Sequence, residues 1–462
     1  MSSFTFQSTI DGSADDVFQW HARQGAFERL NPPWDPVEVV ERTGGIRDGD
    51  RVKIRMRLGP LPIFWTIEHR DYVEGRQFRD IQIDGPFSRW EHTHRIEPAG
   101  ENRCVLKDEI SYDFPLGAIG RALGEHFTRD QLQRLFAYRH ELTRRDVSEH
   151  LTARQGLSEN TLNILVSGAS GLVGSSLVPL LLTGGHSVRR LVRSADAGDE
   201  QAVVWNPETG ISNPDALNGI DAVVHLAGES IASGRWTAAK KRRIRESRVV
   251  GTRRLCEALI KLDRPPKTLV CASAIGYYGD CGERVVDEST TRGTGFLADV
   301  CDWWEAAAEI ARKSGIRVVN ARFGVILSPR GGALAKMLTP FRLGGGGVLG
   351  SGRQYMSWIG IDDVIRGILH CITCKGLNGP VNFVAPIPVT NREFTKTLGR
   401  VLRRPTILPM PAAAARLAFG EMADELLLSS TRVEPKKLRE AGFDFQDETL
   451  EQCLRRLLGR TV

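Results

Sequence analysis

Three glycines spaced three residues apart constrain this chain more than any other feature. Gly168, Gly171 and Gly174 directly follow the apolar run Ile164-Leu-Val, and an apolar, helix-forming segment comes after them. A glycine-rich turn between a buried strand and a helix gathers free N–H groups at the positive end of the helix dipole, which suits a diphosphate. The spacing departs from the more common G-x-G-x-x-G. We predict a dinucleotide-binding turn here, and the alternative is a glycine-rich turn that binds nothing.

Short apolar runs separated by helical segments recur around this turn. They lie at 163–166, 187–192, 222–226, 268–272 and 318–321. Such an alternation is typical of a parallel, doubly wound sheet with helices on both faces. We therefore predict an α/β Rossmann domain over residues 161–386. The mostly helical stretch 387–462 is expected to form a small C-terminal substrate lobe.

The first 150 residues follow a different pattern, in which strands come without helices between them. Alternating segments lie at 51–58, 64–72, 78–83, 88–96 and 104–112, and 121–151 is expected to be one long helix. Consecutive strands of this kind predict an antiparallel sheet and an α+β domain over 1–150. The polar stretch 151–160 lacks an apolar period and is the predicted linker.

Charge and cysteine usage exclude several classes of protein. The net charge of +6 comes from 62 basic and 56 acidic side chains spread along 462 residues, so no nucleic-acid partner is predicted. The first nine residues lack a secretory pattern and the eight cysteines are scattered, which favours a cytoplasmic protein. Residues 161–185 are uncharged but contain five glycines, so no membrane span is predicted. Cys371 and Cys374 have no second ligand pair, and we expect no metal site.

Motifs downstream of the glycine turn carry a family resemblance. They are Val224-His-Leu-Ala-Gly228, Ser273-Ala-Ile-Gly-Tyr-Tyr278-Gly, Gly350-Ser-Gly-Arg-Gln-Tyr-Met-Ser-Trp-Ile and Gly420-Glu-Met-Ala-Asp. With the turn, they make 161–462 resemble the extended short-chain dehydrogenase/reductases, in an atypical epimerase-like branch often labelled nucleoside-diphosphate-sugar epimerase. The strand order and long final helix of 1–150 resemble polyketide cyclases and START-like helix-grip domains that bind lipids.

The residue at the end of the second strand of such a fold selects the cofactor. Arg193 lies 19 positions after Gly174, and no Asp or Glu occurs between Gly185 and Ser194. An arginine there pairs with a 2′-phosphate, whereas a carboxylate binds the 2′-OH, so NADP is predicted. A solvated surface arginine is the alternative. Spacing and resemblance together give these cofactor-binding residues: Gly168, Ser170, Gly171, Leu172, Val173, Gly174, Arg193, Leu226, Ala227, Arg248, Arg322 and Val325.

The Tyr-x-x-x-Lys pair that the superfamily uses for proton transfer is absent, because no tyrosine is followed four positions later by lysine. Cys301 lies near the position of that lysine, with an apolar residue at the tyrosine position. The resemblance leaves Ser273, in the serine-like position, and Tyr278 as catalytic candidates, although Tyr278 also suits packing or substrate contact. Two further carboxylates, Asp302 and Glu305, suit either a proton-transfer role or a solvated helix face.

The sequence therefore predicts an NADP-binding, epimerase-like oxidoreductase acting on a small molecule, either sugar-nucleotide-like or a carbonyl compound. The alternative is a sensor that binds NADPH without turnover and whose N-terminal domain holds a hydrophobic ligand. Four aromatic residues of that domain either line a cavity for an apolar ligand or simply fill the core: Phe64, Trp65, Phe87 and Trp90.

Overall fold

The computed structural model describes residues 1–59, 61–157, 159–196, 198–211 and 213–460. The chain divides into two compact units. The first comprises Met1–Gln155 and Pro179–Gly185, with the C-terminal residues from Arg456. The second comprises Gly156–Val178 and His186–Arg455. Within the described ranges, no helix combines the length and the apolarity needed to cross a bilayer.

Over the described part of residues 1–155, the first unit contains one antiparallel sheet of seven strands and three helices. The strands follow the spatial order β1-β7-β6-β5-β4-β3-β2. Their bounds are β1 Ser2–Asp11, β2 Glu38–Thr43, β3 Arg51–Leu58, β4 Leu61–Val73, β5 Gln77–Asp84, β6 Arg89–Pro98 and β7 Arg103–Asp113, and the helices are α1 Ala14–Ala22, α2 Ala26–Leu30 and α3 Gly117–Gln155. Helix α1 begins where the Ser13 hydroxyl accepts from the backbone N–H of Asp16 at 3.1 Å. The predicted antiparallel sheet with one long final helix is confirmed.

The aromatic residues expected in this unit take two different positions. Trp65, Phe87 and Trp90 pack on one another, with ring centroids 4.9 to 5.9 Å apart, and Tyr112 and Phe136 belong to the same buried cluster. These rings therefore contribute to the core of the unit. Phe64 instead keeps 44% of its surface exposed.

The second unit is built on an eight-stranded sheet. Its strands follow the order β11-β10-β9-β8-β12-β13-β15-β19, and all neighbours are parallel except β10 and β11. The strands of the unit are β8 Asn163–Ser167, β9 Ser187–Val192, β10 Ala202–Asn206, β11 Gly210–Ile211, β12 Ala222–His225, β13 Thr268–Ala274, β14 Val285–Val286, β15 Arg317–Phe323, β16 Val325–Ser328, β17 Tyr355–Met356, β18 Trp358–Gly360, β19 Gly379–Phe383, β20 Val389–Thr390 and β21 Arg432–Val433. The chain order reverses between β8 and β12, and ligands of open α/β sheets bind at such a point.

Helices cover this sheet and form the C-terminal part of the chain. They are α4 Gly174–Thr183, α5 Ala238–Leu259, α6 Phe296–Lys313, α7 Gly332–Arg342, α8 Ile361–Thr373, α9 Asn391–Leu402, α10 Ala412–Phe419, α11 Lys436–Glu440 and α12 Leu450–Leu457. A single π-helical turn lies at Ala423–Leu428. The central strands β8, β12 and β13 are buried almost throughout, as expected for a sheet with helices on both faces. The predicted doubly wound α/β fold is confirmed.

Candidate functional site

A cavity of about 480 Å³ opens at the carboxyl ends of β8, β12 and β13. The glycine turn after β8 forms one side, and Leu226 after β12 and Ser273 in β13 form the next part. Helix α6 and the segments around Tyr355 and Glu425 complete the wall. The cavity therefore lies at the switch point of the sheet, where this fold class binds its ligands.

Two glycines of the turn, Gly168 and Gly174, leave no space for a side chain. Gly168 has a φ of +68°, a conformation that favours glycine. A Cβ on Gly174 would lie 2.3 Å from the carbonyl oxygen of Gly168 and 2.6 Å from the Cα of Ala169. Helix α4 begins at Gly174, which lines the cavity, so the positive end of the helix dipole lies beside the cavity. This close backbone approach at a helix N-terminus fits a dinucleotide diphosphate.

Buried polar groups beside the glycine turn fix the backbone of the segment that follows β12. The Ser167 hydroxyl oxygen accepts from the N–H groups of Leu226 at 3.1 Å and Ala227 at 3.3 Å, and it lies 2.7 Å from Nδ1 of His225. Because the oxygen already accepts twice, its hydrogen is directed to Nδ1, and the imidazole carries its own proton on Nε2. Burial lowers the pKa of His225 to about 4. His225 is therefore a neutral structural residue near neutral pH.

Ser273 links the cavity to a buried ion pair. Its hydroxyl donates to Oε1 of Glu305 at 2.7 Å. Both oxygens of Glu305 accept from the Arg322 guanidinium at 2.8 Å, in a bidentate pair. Ser273 is among the residues that line the cavity, whereas Glu305 and Arg322 are not. This hydrogen-bonded network of Ser273, Glu305 and Arg322 can accept a proton from a group in the cavity.

Tyr278 contacts Arg322 of this network but is not among the residues that line the cavity. Its hydroxyl donates to Oδ1 of Asn382 at 2.7 Å and accepts from Nη1 of Arg322 at 3.0 Å. Its side chain is 1% exposed, and burial raises its pKa to about 12. The geometry therefore favours packing over acid–base chemistry, which was the alternative that the sequence left open for this residue.

Arg248 brings a positive charge to the cavity wall. Its Nη1 donates to the carbonyl oxygens of Glu229 at 3.0 Å and Ile244 at 3.1 Å, and its guanidinium lies 5.0 Å from the Trp304 ring centroid. Its Nη2 makes no hydrogen bond with any residue that the structure describes. The guanidinium is thus held in place by its own helix and loop, with one nitrogen left for an anionic group in the cavity.

Helix α6 gives the cavity an apolar wall where the superfamily would place its tyrosine and lysine. Leu297, Val300, Cys301 and Trp304 follow the helical spacing that puts side chains on one face, and all four line the cavity. Burial raises the pKa of the Cys301 thiol to about 12, so the thiol stays protonated near neutral pH. No lysine is among the described residues that line the cavity.

The C-terminal segments add polar groups that sequence reasoning missed. Tyr355 lines the cavity, and its phenol makes no hydrogen bond with any described residue. Glu425, in the π-helical turn, also lines it and accepts from the N–H groups of Phe296 and Leu297, each at 3.2 Å. Both residues stand within or next to the motifs 350–359 and 420–424, but nothing in their local pattern marks them as site residues.

The structure brings most of the predicted site residues together. Those that line the cavity are Gly168, Gly171, Leu172, Val173, Gly174, Leu226, Arg248, Ser273 and Val325. Those that are not among the lining residues are Ser170, Arg193, Ala227, Tyr278 and Arg322. Ser170 and Arg193 are exposed, and Arg193 makes no hydrogen bond or ion pair with a described residue. Arg322, predicted to bind the cofactor, pairs with Glu305, because both groups are largely removed from water and need a partner.

Comparison with known proteins identifies the family. The epimerase family protein Mb2239 of Mycobacterium bovis is 48% identical over 291 residues, which are 63% of this chain and 96% of that relative. The chain belongs to the epimerase family. The model of the NAD dependent epimerase/dehydratase family matches residues 164–382, and a domain of unknown function, DUF1731, matches 410–457. The model for polyketide cyclase / dehydrase and lipid transport matches 10–136, so both resemblances inferred from the sequence are confirmed.

Solved structures extend this family relationship to the whole chain. The nucleoside-diphosphate sugar epimerase from Corynebacterium glutamicum matches 99% of this chain and 90% of its own, with 30% identity and a TM-score of 0.79. The human epimerase family protein SDR39U1, solved with NADPH, matches 64% of this chain and 99% of its own, with 32% identity and a TM-score of 0.60. These relatives show a nucleotide-binding, epimerase-like fold in this chain.

Proposed function

We propose that the chain is an NADPH-dependent oxidoreductase of the epimerase family that acts on a small carbonyl compound or the corresponding alcohol. The observation that carries this proposal is Ser273, which lines the cavity and whose hydroxyl donates to the largely buried Glu305 carboxylate at 2.7 Å. The glycine turn has the backbone clearance that a dinucleotide diphosphate needs. The human relative solved with NADPH supports the choice of cofactor.

The Ser273–Glu305 pair would replace the missing tyrosine and lysine in proton transfer. The glycine turn would hold NADP⁺, which would supply the acceptor for the hydride on the carbon that carries the substrate hydroxyl. The hydroxyl proton would move to Oγ of Ser273, while the serine hydrogen moves to Glu305. Arg322 keeps Glu305 ready as an acceptor through its two hydrogen bonds at 2.8 Å. The reverse movement of the same two protons would accompany reduction of the carbonyl.

The cavity walls favour an apolar substrate body over a sugar nucleotide. Ile231, Met337, Leu426 and Leu427 line the cavity together with the apolar face of α6. A sugar nucleotide carries many hydroxyl and phosphate oxygens that each need a polar partner. Apolar side chains outnumber polar ones on this wall, so a carbonyl compound with an apolar body is the substrate class that we propose.

The experiment compares Ser273→Ala with the native chain. NADPH oxidation is followed across a panel of apolar aldehydes and ketones and of sugar nucleotides, and NADPH affinity is measured by fluorescence titration. We expect kcat to fall at least about 100-fold while the NADPH Kd changes less than twofold, because the hydroxyl acts on the proton and not on the cofactor. Ser314→Ala, at the exposed end of α6, is the matched control. Unchanged kcat in Ser273→Ala contradicts the proton route.

Arg193 is the group that we propose to select NADPH over NADH. Its exposed guanidinium follows β9 and has no partner among the described residues. Arg193→Ala should weaken NADPH binding about tenfold and leave NADH binding unchanged, since only NADPH offers the 2′-phosphate. Arg264→Ala, an exposed arginine just before β13, is the control. Equal loss for both nucleotides would show that the arginine acts on something other than the phosphate.

A sensor without turnover is the second candidate, and the apolar face of α6 is the observation that favours it. The wall that should hold the tyrosine and lysine instead presents Leu297 and the protonated thiol of Cys301. A sensor predicts tight NADPH binding with no oxidation of the nucleotide by any compound of the panel. Turnover that depends on Ser273 excludes this candidate.

A further inference from the structure

Histidine and aspartate side chains of three neighbouring strands converge inside the first unit. Asp80 of β5 is paired in register with His92 of β6, and His94 of β6 is paired with Asp108 of β7. His92 and His94 are two residues apart on one strand, so they lie on the same face of the sheet. The two histidines and Asp108 are each less than 8% exposed. None of these residues belongs to the cavity of the second unit.

The spacing of three ligand atoms is that of a metal site. Oδ2 of Asp80 lies 3.4 Å from Nε2 of His94 and 3.7 Å from Nδ1 of His92, and the potential ligand atoms of the three residues all lie within 4.8 Å of one another. The Asp80–His94 contact is a long hydrogen bond, and the Asp80–His92 separation exceeds hydrogen-bond distance. Both separations are close to the roughly 3.3 Å that separates two ligand atoms of a tetrahedral zinc ion, each about 2.0 to 2.1 Å from the metal.

Asp108 sets both histidines in the tautomer that a metal requires. Its Oδ1 lies 2.7 Å from Nε2 of His92 and 2.7 Å from Nδ1 of His94. An ionised carboxylate only accepts, so each ring donates its N–H there. In the neutral rings, the opposite nitrogens then point lone pairs toward Asp80. A carboxylate that orients metal-binding imidazoles in this way is a recurrent feature of metal sites.

Two more histidines hold the carboxylates. Nδ1 of His69 lies 2.8 Å from Oδ1 of Asp80, which leaves Oδ2 directed at the histidine pair. Nε2 of His140 lies 2.5 Å from Oδ2 of Asp108, and Nδ1 of His140 lies 2.7 Å from the Ser8 hydroxyl. The carboxylates of Asp80 and Asp108 are therefore each held by a histidine, as a preformed site needs.

The three ligand atoms converge on one point, where the cluster needs positive charge. Either one proton on a single ring or one cation can supply that charge, because two protonated rings would place like charges on rings whose centroids are 3.8 Å apart. A single divalent ion would satisfy all three ligand atoms at once. Two imidazoles and one carboxylate are a donor set that suits Zn²⁺ and leaves one coordination position open.

We propose that Asp80, His92 and His94 bind a divalent transition-metal ion, of the class of Zn²⁺, inside the first unit. The site is distinct from the dinucleotide cavity, and it stands whether or not the chain turns over a substrate. The open fourth position would take water or a small anionic group.

The direct test locates the metal in the full chain. The protein is treated with a chelator, dialysed and crystallised, and the crystals are soaked in ZnCl₂ for anomalous diffraction at the zinc edge. We expect one peak about 2.0 to 2.2 Å from an oxygen of Asp80, Nδ1 of His92 and Nε2 of His94. Equilibrium dialysis of the same protein should give one Zn²⁺ per chain. A peak elsewhere only, or no binding, overturns the proposal.

Variants provide a second readout in solution. His94→Gln and Asp80→Asn should each weaken Zn²⁺ binding at least tenfold, while His126→Gln, an exposed histidine of α3, should bind as the native chain does. Native affinity in both site variants would overturn the proposal. If the variants do not fold, the crystal experiment on the native chain still decides between the two outcomes. An anomalous peak at the cluster supports the metal site, and its absence shows that the cluster holds protons only.

Discussion

At the scale of single residues, the candidate site depends on a few polar groups held by fixed partners. Burial by itself would lower the pKa of Arg322, but its hydrogen bonds and charge contacts with Glu305 and Tyr278 raise it. Removing one member of such a buried pair leaves the other charge without compensation, which costs about 3 to 5 kcal/mol. Of Ser273, Glu305 and Arg322, Ser273 lines the cavity and the other two do not. Substitution of Ser273 therefore tests the proton transfer with the least disturbance of the core.

His225 should make the stability of the protein depend on pH. Its pKa falls from an ordinary 6.5 to about 4 in the folded chain, because the ring is buried. Between those values the unfolded chain binds a proton that the folded chain does not, so stability is full above pH 6.5 and declines as the pH falls toward 4. The loss from this group at pH 5 is about 2 kcal/mol.

The measurement compares urea unfolding at pH 7 and pH 5 for the native chain and His225→Gln. The variant is expected to lose less free energy of unfolding on acidification than the native chain, by about 2 kcal/mol. His126→Gln serves as the control, because this side chain is 93% exposed. Equal pH dependence in the native chain and His225→Gln would show that the buried ring does not titrate as described.

At the scale of secondary structure, one helix of the cavity wall begins with help from a distant segment. Helix α6 has no side-chain cap of its own, since Gly295 precedes it. The Glu425 carboxylate instead accepts from the first two N–H groups of the helix, at 3.2 Å each. It thus satisfies two free donors and places negative charge at the positive end of the helix dipole.

Glu425→Ala should therefore destabilise the chain by about 1 kcal/mol, the usual cost of losing a helix cap. Chemical denaturation measures the change, and hydrogen exchange should show faster exchange in the first turn of α6. Asp424→Ala is the neighbouring control, because Asp424 pairs with Arg416 on the surface. If Asp424→Ala and Glu425→Ala cost the same, the capping role is contradicted.

The sequence was sufficient to predict those elements that a short run of neighbouring residues specifies. The glycine turn, the five central strands of the second unit and the long helix α3 all follow from apolar runs and turn residues. Strands β1, β2, β10, β11 and β19 were not predicted. In β19, Gly379, Pro380 and Asn382 interrupt the apolar run, and β11 has only two residues at the edge of the sheet. The partners of Glu425 and Arg322 lie far along the chain, so no local pattern shows whether such a charge caps a helix, binds a carboxylate or faces a ligand.

At the scale of the whole molecule, the chain joins three stretches that match separate family models. The Corynebacterium glutamicum protein matches 99% of this chain, so the same combination occurs in that relative. The histidine cluster lies in the polyketide cyclase-like stretch and the dinucleotide cavity in the epimerase stretch. A divalent metal ion and NADPH should therefore each stabilise a different stretch of the chain, and the two effects should be measurable separately.

NADPH should stabilise the chain through the cavity of the second unit. At a free concentration 100 times its Kd, a ligand that binds only the folded state adds about 2.7 kcal/mol to the free energy of unfolding. Hydrogen exchange with and without NADPH should show protection in the turn between β8 and α4 and at the end of β13, with none in β5 to β7. Protection confined to β5 to β7 would contradict the assignment of the cavity.

Gly174→Ala makes this test specific to the glycine turn. The added Cβ would lie 2.3 Å from a backbone oxygen, so the turn must shift and the diphosphate loses its close backbone approach. We expect the NADPH-induced rise in thermal midpoint to disappear in this variant. Gly376→Ala is the matched control, because a Cβ there meets nothing within 4 Å. A full NADPH-induced rise in Gly174→Ala would mean that the nucleotide binds elsewhere, and the proposed cofactor site would then be wrong even though the family is shown.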